Sequence, residues 1–462
     1  MKRFELSDIN PGSHIHFIGI GGISMSGLAV ILTEKGYKVT GSDRTKNNIC
    51  QKLESKGIII YEGHNAENIK GADLVVHTAA VHMDNPEMSA AVEKGIRLID
   101  RAECLGAIMK LYKNAVGISG THGKTTTTAL LTHALLYADV DPTISIGGEL
   151  DIIDGNIRAG KSDYFVTEAC EYTNSFLKFF PHIAVITNIE EDHLDFFSGI
   201  EQIRESFASF AELTGDNGYV VAYGDDENIR LALNNSKCNI IYYGKDSSCD
   251  YYPENIEIID GLPHFDVMYK GEFKVHIDLN VPGFHNIMNS LSVIAVCDLL
   301  EISPETSAKG IQTYKGTHRR FEKLGKLNGA DIIADYAHHP TEIKATLKTA
   351  KTFSHNKLWC IFQPHTYTRT RTLWDSFVTC FDDADKLILT HIYAAREQFD
   401  GITRASDLAN QIKNNGSDCV YIEEFSDICE YLKEHVSDND MVFIMGAGDI
   451  INIGNELTKN GK

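Results

Sequence analysis

The sequence predicts an α/β protein of three domains, each built on a largely parallel sheet. Three observations lead there. Short apolar strands alternate with helix-length segments along the whole chain. Two of those strands run into glycine-rich turns, near residues 20 and 120. At 462 residues the chain is too long for one hydrophobic core, so about two to four domains are expected.

The strands read in order as His14–Ile20, Ala72–Thr78, Asn114–Ser119, Asp163–Glu168 and His182–Asn188, then Leu358–Gln363, Lys386–Thr390 and Met441–Gly448. Each is short and mainly apolar, as a strand covered on both faces would be. Such strands, spaced by helices, pair in parallel. Three blocks separate. Residues 1–107 open on the first glycine turn and end in a helical stretch. Residues 108–316 open on the strand before Gly120 and hold a more irregular, β-rich part around residues 219–281. Residues 317–462 form the third. No internal repeat or low-complexity linker interrupts them.

Composition narrows the function. Apolar residues make up 43% and charged residues 23%, the balance of a soluble globular enzyme. A net charge of −21 would repel phosphodiester backbones, so no nucleic-acid partner is expected. A nucleotide can still be held by local amides and a few cations. No apolar run reaches about 18 residues, so no membrane insertion is expected. The amino-terminal segment Met1–Gly12 has two basic residues and no apolar stretch behind them, unlike a signal peptide. The ten cysteines form no CxxC pair, which reads as reduced thiols in a cytoplasmic protein.

The strongest local signal is GISGTHGKTTTTALL, Gly117–Leu131. An apolar strand feeds a glycine turn, then lysine and hydroxyl residues, then an apolar helix. In such loops backbone N–H groups converge on phosphate oxygens, the lysine reaches the terminal phosphates and the next hydroxyl ligates Mg²⁺. Gly120 and Gly123 would shape the loop, Lys124 would take the phosphates and Thr125 the metal, with Thr121, His122 and Thr126 around them. The strict GxxxxGK[ST] pattern fails at one place, where residue 118 is Ile. A kinase, an ATPase and an ATP-dependent ligase all remain open on this loop alone.

Nucleotide sites in open α/β sheets lie beyond the carboxyl ends of strands. DYFVTEACEY places Glu168 at such an end, and HIAVITNIEEDHLDFF places Asn188, Glu191, Asp192 and His193 beyond another. A carboxylate there can hold Mg²⁺ and a histidine a second ion. Glu171, Glu190 and Glu191 individually fit a solvated acidic surface better than a ligand role.

HFIGIGGISMSGLA (His16–Ala29) also follows a strand and opens a helix, with Gly19, Gly21 and Gly22 close to a GxGxxG fingerprint. Asp43 follows by about the 20 residues at which a dinucleotide fold binds a ribose. Read alone, this Rossmann-like block suits an NAD-dependent enzyme.

GTHGKTTTT, EACEY and TNIEEDHLDFF, in this order and spacing, make the chain resemble the Mur ligases along nearly its whole length. These enzymes add amino acids to the growing bacterial cell-wall peptide. The match is strongest with their alanine-adding branch. The resemblance implies a Rossmann-like amino-terminal domain, a central P-loop-type ATPase domain and a carboxyl-terminal Rossmann-like domain. It implies ATP and Mg²⁺ as cofactors, with Lys124 on the phosphates and Thr125, Glu168 and His193 at the metals. Some of these ligases read EADES, so Cys170 and Tyr172 depart from that version. No candidate for the carbamylated lysine of other Mur ligases is evident.

By the same resemblance the first block binds the UDP part of UDP-N-acetylmuramate. Gly19, Gly21 and Gly22 would offer amides to the diphosphate, Ser42 and Asp43 would lie near the uridine, and His64, the Asn85-Pro86-Glu87 segment and Arg101 match family patterns. VPGFHNIMNSL places His285 and Asn289 on one helical face, matching residues that contact adenine. Arg320 of GTHRRFEKL matches an arginine that approaches the ATP phosphates on closure. In IIADYAHHPTEI, Asp335 matches a residue near the ATP ribose, and Tyr336 and His338 match residues near the incoming L-alanine. Some members have arginine where this chain has Thr366, which leaves open which side chain orients the alanine carboxylate; Arg369 is the candidate. Gly446 and Gly448 match a final motif with a packing role. The pair His338-His339 could suggest zinc, but adjacent side chains diverge and no cysteine or carboxylate stands at ligand spacing, so no zinc site is expected.

The implied reaction phosphorylates the lactyl carboxylate of UDP-N-acetylmuramate, after which the amine of L-alanine expels phosphate. His338 would position or deprotonate that amine, and the domains would close around the substrates. A ligase that attaches a recycled tripeptide to the same sugar nucleotide is the near alternative. A kinase, an NAD dehydrogenase and a non-catalytic UDP-sugar sensor are the distant ones. The oligomeric state expected is a monomer or homodimer.

Overall fold

The computed structural model describes residues 4–78, 80–395 and 397–459. The first three residues of the segment read against a signal peptide, and Ala79, lie outside it.

Three sheets follow one another along the chain. The first holds β1 (His14–Ile18), β2 (Lys38–Asp43), β3 (Ile59–Glu62), β4 (Leu74–His77) and β5 (Arg97–Asp100), all parallel, in the order β3-β2-β1-β4-β5. The strand order reverses at β1, which opens a crevice beyond its carboxyl end. β1 is buried along its whole length, His14 and His16 included. It stops at Ile18 rather than Ile20 because Gly19 takes a φ of +82°, which only glycine adopts without strain.

The second sheet has ten strands. β6 (Asn114–Ser119), β7 (Thr143–Leu150), β9 (Tyr164–Glu168), β10 (Ile183–Ile186), β11 (Tyr219–Tyr223) and β12 (Asn239–Tyr243) run parallel, and β8 (Gly155–Arg158) closes one edge antiparallel to β7. The β-rich part expected after residue 219 is a meander of β13 (Tyr251–Ile259), β14 (Leu262–Tyr269) and β15 (Glu272–Asp278) added to the far edge. Here β6 lies between β9 and β10, so the second glycine turn also leaves a switch point.

The third sheet holds β16 (Glu322–Leu327), β17 (Ala330–Asp335), β18 (Leu358–Phe362), β19 (Lys386–Leu389), β20 (Cys419–Tyr421) and β21 (Met441–Met445), in the order β16-β17-β21-β18-β19-β20. Only β16 is antiparallel. The carboxyl ends of β17, β18 and β21 face the middle sheet through the residues described below.

Helix starts follow local chemistry. Asp100 and Glu103 form a capping box ahead of Arg101–Met109, Asn85 caps Pro86–Glu93, and Ser303 caps Pro304–Gln312. The first two sheets are packed tightly together. A Cβ at Gly106 would run into the Lys178 carbonyl, and one at Gly27 into Ile157. Among the described residues no helix is long and apolar enough to cross a membrane.

Candidate active site

The loop after β6 is held in shape from behind. Gly120 (φ +139°) and Gly123 (φ +82°) make its two turns, and a Cβ at Gly120 would strike Thr187 Oγ1. Thr121 N donates to the Asn188 carbonyl at 3.2 Å and His122 N to Asn188 Oδ1 at 2.7 Å. Thr187 Oγ1 donates to the His122 carbonyl at 2.6 Å. The helix Lys124–Tyr137 then starts at Gly123 without a side-chain cap, and a helix start of that kind suits an anion.

Lys124 folds back over this loop. Its Nζ donates to the carbonyls of Gly120 and Thr121 and to both oxygens of Glu171, at 3.0 and 3.2 Å. Burial alone would lower the ammonium's pKa, but the charge and hydrogen bonds of Glu171, together with Cys170 and Glu168, raise it. Glu171 itself is only 3% exposed. That corrects the expectation of a solvated acid: its neighbours bury it as the counterion of Lys124.

His193 (φ +53°) lies on the same carboxylate, with Nε2 3.8 Å from Glu171 Oε1 and its ring 4.6 Å from that of Tyr172. Glu168 stands at the end of β9, where Gly147 N donates to Oε1 at 2.6 Å. Thr125 faces Gly148, where a Cβ would lie 3.1 Å from its methyl. One hydroxyl, two carboxylates and an imidazole around a lysine form an oxygen-rich set that fits Mg²⁺.

The third domain supplies the opposite wall. Arg369 donates to Asp192 through Nε at 3.1 Å and Nη2 at 2.8 and 3.2 Å, and its Nη1 meets His365 Nδ1 at 2.9 Å. The expected reader of the alanine carboxylate is thus paired with a carboxylate of the middle domain. Burial pushes the Asp192 carboxyl up, but Arg369, His193 and His338 together hold it well below the usual range. Thr366 caps the helix Tyr367–Thr372 by accepting from Arg369 N at 3.3 Å.

Arg320 lies 5.0 Å from the Tyr336 ring centre and 3.9 Å from Glu342 Oε1. Its neighbour Arg319 is structural, donating through Nη2 to the carbonyls of Gly446 and Gly448 at 2.5 and 2.9 Å. Asp335 is buried, and its two oxygens accept from Ala337 N and Phe321 N at 2.8 and 3.0 Å. It therefore pins the Arg319–Phe321 turn. Burial raises its carboxyl to about 6 despite Arg320. His338 Nδ1 meets the Tyr336 carbonyl at 2.9 Å, and burial lowers the imidazole to about 3. So weak a base suits positioning an amine better than deprotonating it at neutral pH. Asn289 abuts the loop, 3.1 Å from where a Gly123 Cβ would sit, while His285 is exposed at the helix start.

The first sheet carries a separate group. Gly21 N donates to Asp43 Oδ2 at 2.8 Å, which ties the glycine loop to the end of β2. Arg101 Nη1 donates to Ser24 Oγ at 3.0 Å. Ser42 is fully buried, and its hydroxyl donates to Glu87 Oε2 at 2.5 Å, so it supports the crevice from beneath. Glu87, also fully buried, takes Asn68 Nδ2 at 2.6 Å and His64 Nδ1 at 3.2 Å. This carboxylate organises the group, and the sequence signals it only as the residue after an Asn-Pro helix cap.

From Lys124 a continuous series of contacts runs through Glu171, His193 and Asp192 to Arg369, His365 and His338. Of these, the sequence reading did not name His365 and took Glu171 for a surface acid; it also missed Glu342, beside Arg320.

A phosphate loop facing a cationic wall across a domain cleft, beside a Rossmann-like crevice, is the layout of a three-domain ligase. The family models agree: "Mur ligase family, catalytic domain" matches residues 14–113, "Mur ligase middle domain" 118–297 and "Mur ligase, glutamate ligase domain" 319–448. The chain belongs to the Mur ligase family. It is 51% identical over 446 residues to the UDP-N-acetylmuramate–L-alanine ligase of Clostridium botulinum, covering 96% of this chain and 97% of that one. It is 50% identical over 462 residues to the enzyme of that name from Acetivibrio thermocellus, covering 100% and 98%. Among solved structures, the UDP-N-acetylmuramate–alanine ligase of Thermotoga maritima superposes with a TM-score of 0.78 at 30% identity, covering 97% and 98%. A murein peptide ligase from Psychrobacter arcticus gives 0.68 at 25% identity, covering 97% and 98%.

Proposed function

We propose that the protein joins L-alanine to the lactyl carboxylate of UDP-N-acetylmuramate at the expense of ATP, a cytoplasmic step of peptidoglycan synthesis. The observation that carries this reading is 50–51% identity across essentially the whole chain to relatives bearing that activity. The recycling ligase that attaches a tripeptide is not favoured, since the murein peptide ligase is only 25% identical. Residues 1–107 serve as the UDP-sugar domain, 108–316 as the ATP domain and 317–462 as the closing domain.

A carboxylate is a poor acyl donor because oxide leaves badly, and transfer of the γ-phosphoryl group supplies a leaving group. Lys124 exchanges Glu171 for the phosphates, with the loop amides of Thr121–Thr126 around them. Thr125, Glu168 and His193 would hold Mg²⁺, which would supply charge neutralisation on the phosphates. Arg320 meets the phosphates from the third domain, and His285 and Asn289 flank the adenine. Gly19, Gly21, Gly22 and Asp43 hold the UDP diphosphate and ribose, with His64 and Arg101 at the rim. Tyr336 and His338 orient the alanine amine, and Arg369 takes the alanine carboxylate by leaving Asp192.

Phosphate release from ATP tests this. Release should need both UDP-N-acetylmuramate and L-alanine and vanish in Lys124→Ala. Release with the tripeptide but not alanine would move the protein to the recycling class. Tight sugar-nucleotide binding without turnover would leave a sensor.

A further inference from the structure

Behind the phosphate loop the middle and third domains meet through a second polar cluster. His122, on the loop, and Glu190, after β10, come from the middle domain. His339 and Glu342, at the start of the helix Pro340–Ala350, come from the third. Glu190 Oε2 lies 3.5 Å from His122 Nε2 and 3.7 Å from His339 Nδ1, and Thr341 Oγ1 donates to the same oxygen at 2.6 Å.

The orientation of the two rings carries the inference. His122 Nδ1 meets Glu342 Oε1 at 3.1 Å, which turns Nε2 toward Glu190. That Nε2 is fully buried and makes no hydrogen bond. His339 Nε2 meets the Glu191 carbonyl at 3.3 Å, which leaves Nδ1 as the acceptor; it takes a long hydrogen bond from Thr341 N at 3.3 Å, which a metal ion would replace, and lies toward Glu190. Each imidazole thus has an oxygen partner on its far nitrogen, the arrangement that fixes the tautomer of metal-bound histidines. The spacing agrees. Tetrahedral bonds of about 2.0–2.2 Å place neighbouring ligand atoms about 3.3–3.6 Å apart. A charge-assisted hydrogen bond would bring nitrogen and oxygen to about 2.7–2.9 Å.

We propose that His122, Glu190 and His339 form an interdomain site for a transition-metal dication of the Zn²⁺ type, separate from the magnesium position at Thr125, Glu168 and His193. Two imidazoles and one carboxylate select Zn²⁺ or Co²⁺ over Mg²⁺, which prefers oxygen. The ion ties the phosphate loop to the third domain and so holds the cleft closed. Substrate exchange needs that cleft to open, so occupancy slows turnover. The sequence disfavours zinc at the His338-His339 pair, and the pair indeed diverges. His339 alone joins the site, and its partners come from another domain.

Co²⁺ serves as the spectroscopic probe, titrated into the full-length protein carrying His276→Asn in excess Mg²⁺. That substitution removes the surface group His264, His276 and Asp278, whose ligand atoms also lie within 4.8 Å of one another. One equivalent of Co²⁺ should bind with the visible bands of a low-coordinate, nitrogen-bound ion, and Zn²⁺ should displace it. Glu190→Gln and His339→Gln should each weaken binding by at least about tenfold. Glu190→Gln preserves side-chain size, so the test stands even if loss of the His339 cap impairs folding. Absence of the bands, or bands unchanged in Glu190→Gln, overturns the site and leaves His122 and Glu190 as an ion pair. The readout does not depend on ligase activity.

Discussion

Charges buried inside the first domain and charges buried along the cleft are handled in opposite ways. Glu87 is enclosed by donors of its own domain: Ser42, His64 and Asn68, with His16 Nε2 3.8 Å away. Burial raises its carboxyl, but His16, Ser42 and Asn68 outweigh burial and hold it at about 2. Along the cleft, Lys124 is paired with Glu171 and Arg369 with Asp192, while Asp335 has two backbone amides and rises to about 6. A charge enclosed by fixed donors that no substrate replaces serves folding. A charge satisfied by a carboxylate that an anionic substrate can replace is poised for exchange.

The largest effect should fall on the cleft. Lys124→Ala should lower ligase turnover by about two to three orders of magnitude, as loss of a main charge-stabilising donor does, with little change in urea midpoint. A comparable loss of stability would show that Lys124 is as structural as Glu87.

Glu87→Gln comes next and should act on stability. Its folded pKa of about 2 lies below the ordinary 4.5, so its contribution is complete above pH 4.5 and is lost as pH falls from there toward 2. That difference is worth about 3 kcal/mol. Urea unfolding should show the variant weaker by about that amount at neutral pH and level with the parent near the acid end of the window. A constant deficit would place the loss in packing instead.

Asp335 should show the reverse sign. Its folded pKa of about 6 lies above the ordinary 3.8, so the native state keeps a proton that the unfolded chain has released. Stability therefore falls as pH rises from 3.8 to about 6. Asp335→Asn should abolish that decline in thermal scans across the window. A decline that persists would assign it to another group.

The smallest effect is the coupling between Asp192 and Arg369. In a double-mutant cycle of Asp192→Asn and Arg369→Gln, kcat/KM for alanine should reveal about 1–2 kcal/mol of interaction. Additive losses would mean that Arg369 reads substrate without Asp192 controlling it.

Much of this molecule was legible in one dimension because the features are local. β1, β6 and β21 are mainly apolar, almost wholly buried strands, and each is followed by glycine at positive φ: Gly19, Gly120 and Gly446. A strand, a turn and a helix start are properties of neighbouring residues, so the phosphate loop and the parallel sheets could be read directly. The family resemblance extended that reading to Glu168, His193 and Arg320.

Burial and pairing of charge were decided elsewhere. Glu171 and Glu190 read as solvated acids because sequence spacing carries no information on desolvation. Only the packing of Lys124, His122 and His339 around them shows what those carboxylates meet. Ser42 looked like a crevice residue, yet its hydroxyl turns inward to Glu87. The sequence by itself determined which residues could carry charge and where the chain would turn. The tertiary structure decided which charges were taken from water and paired, because that energy depends on distance in space, across domains that the chain joins only at its ends.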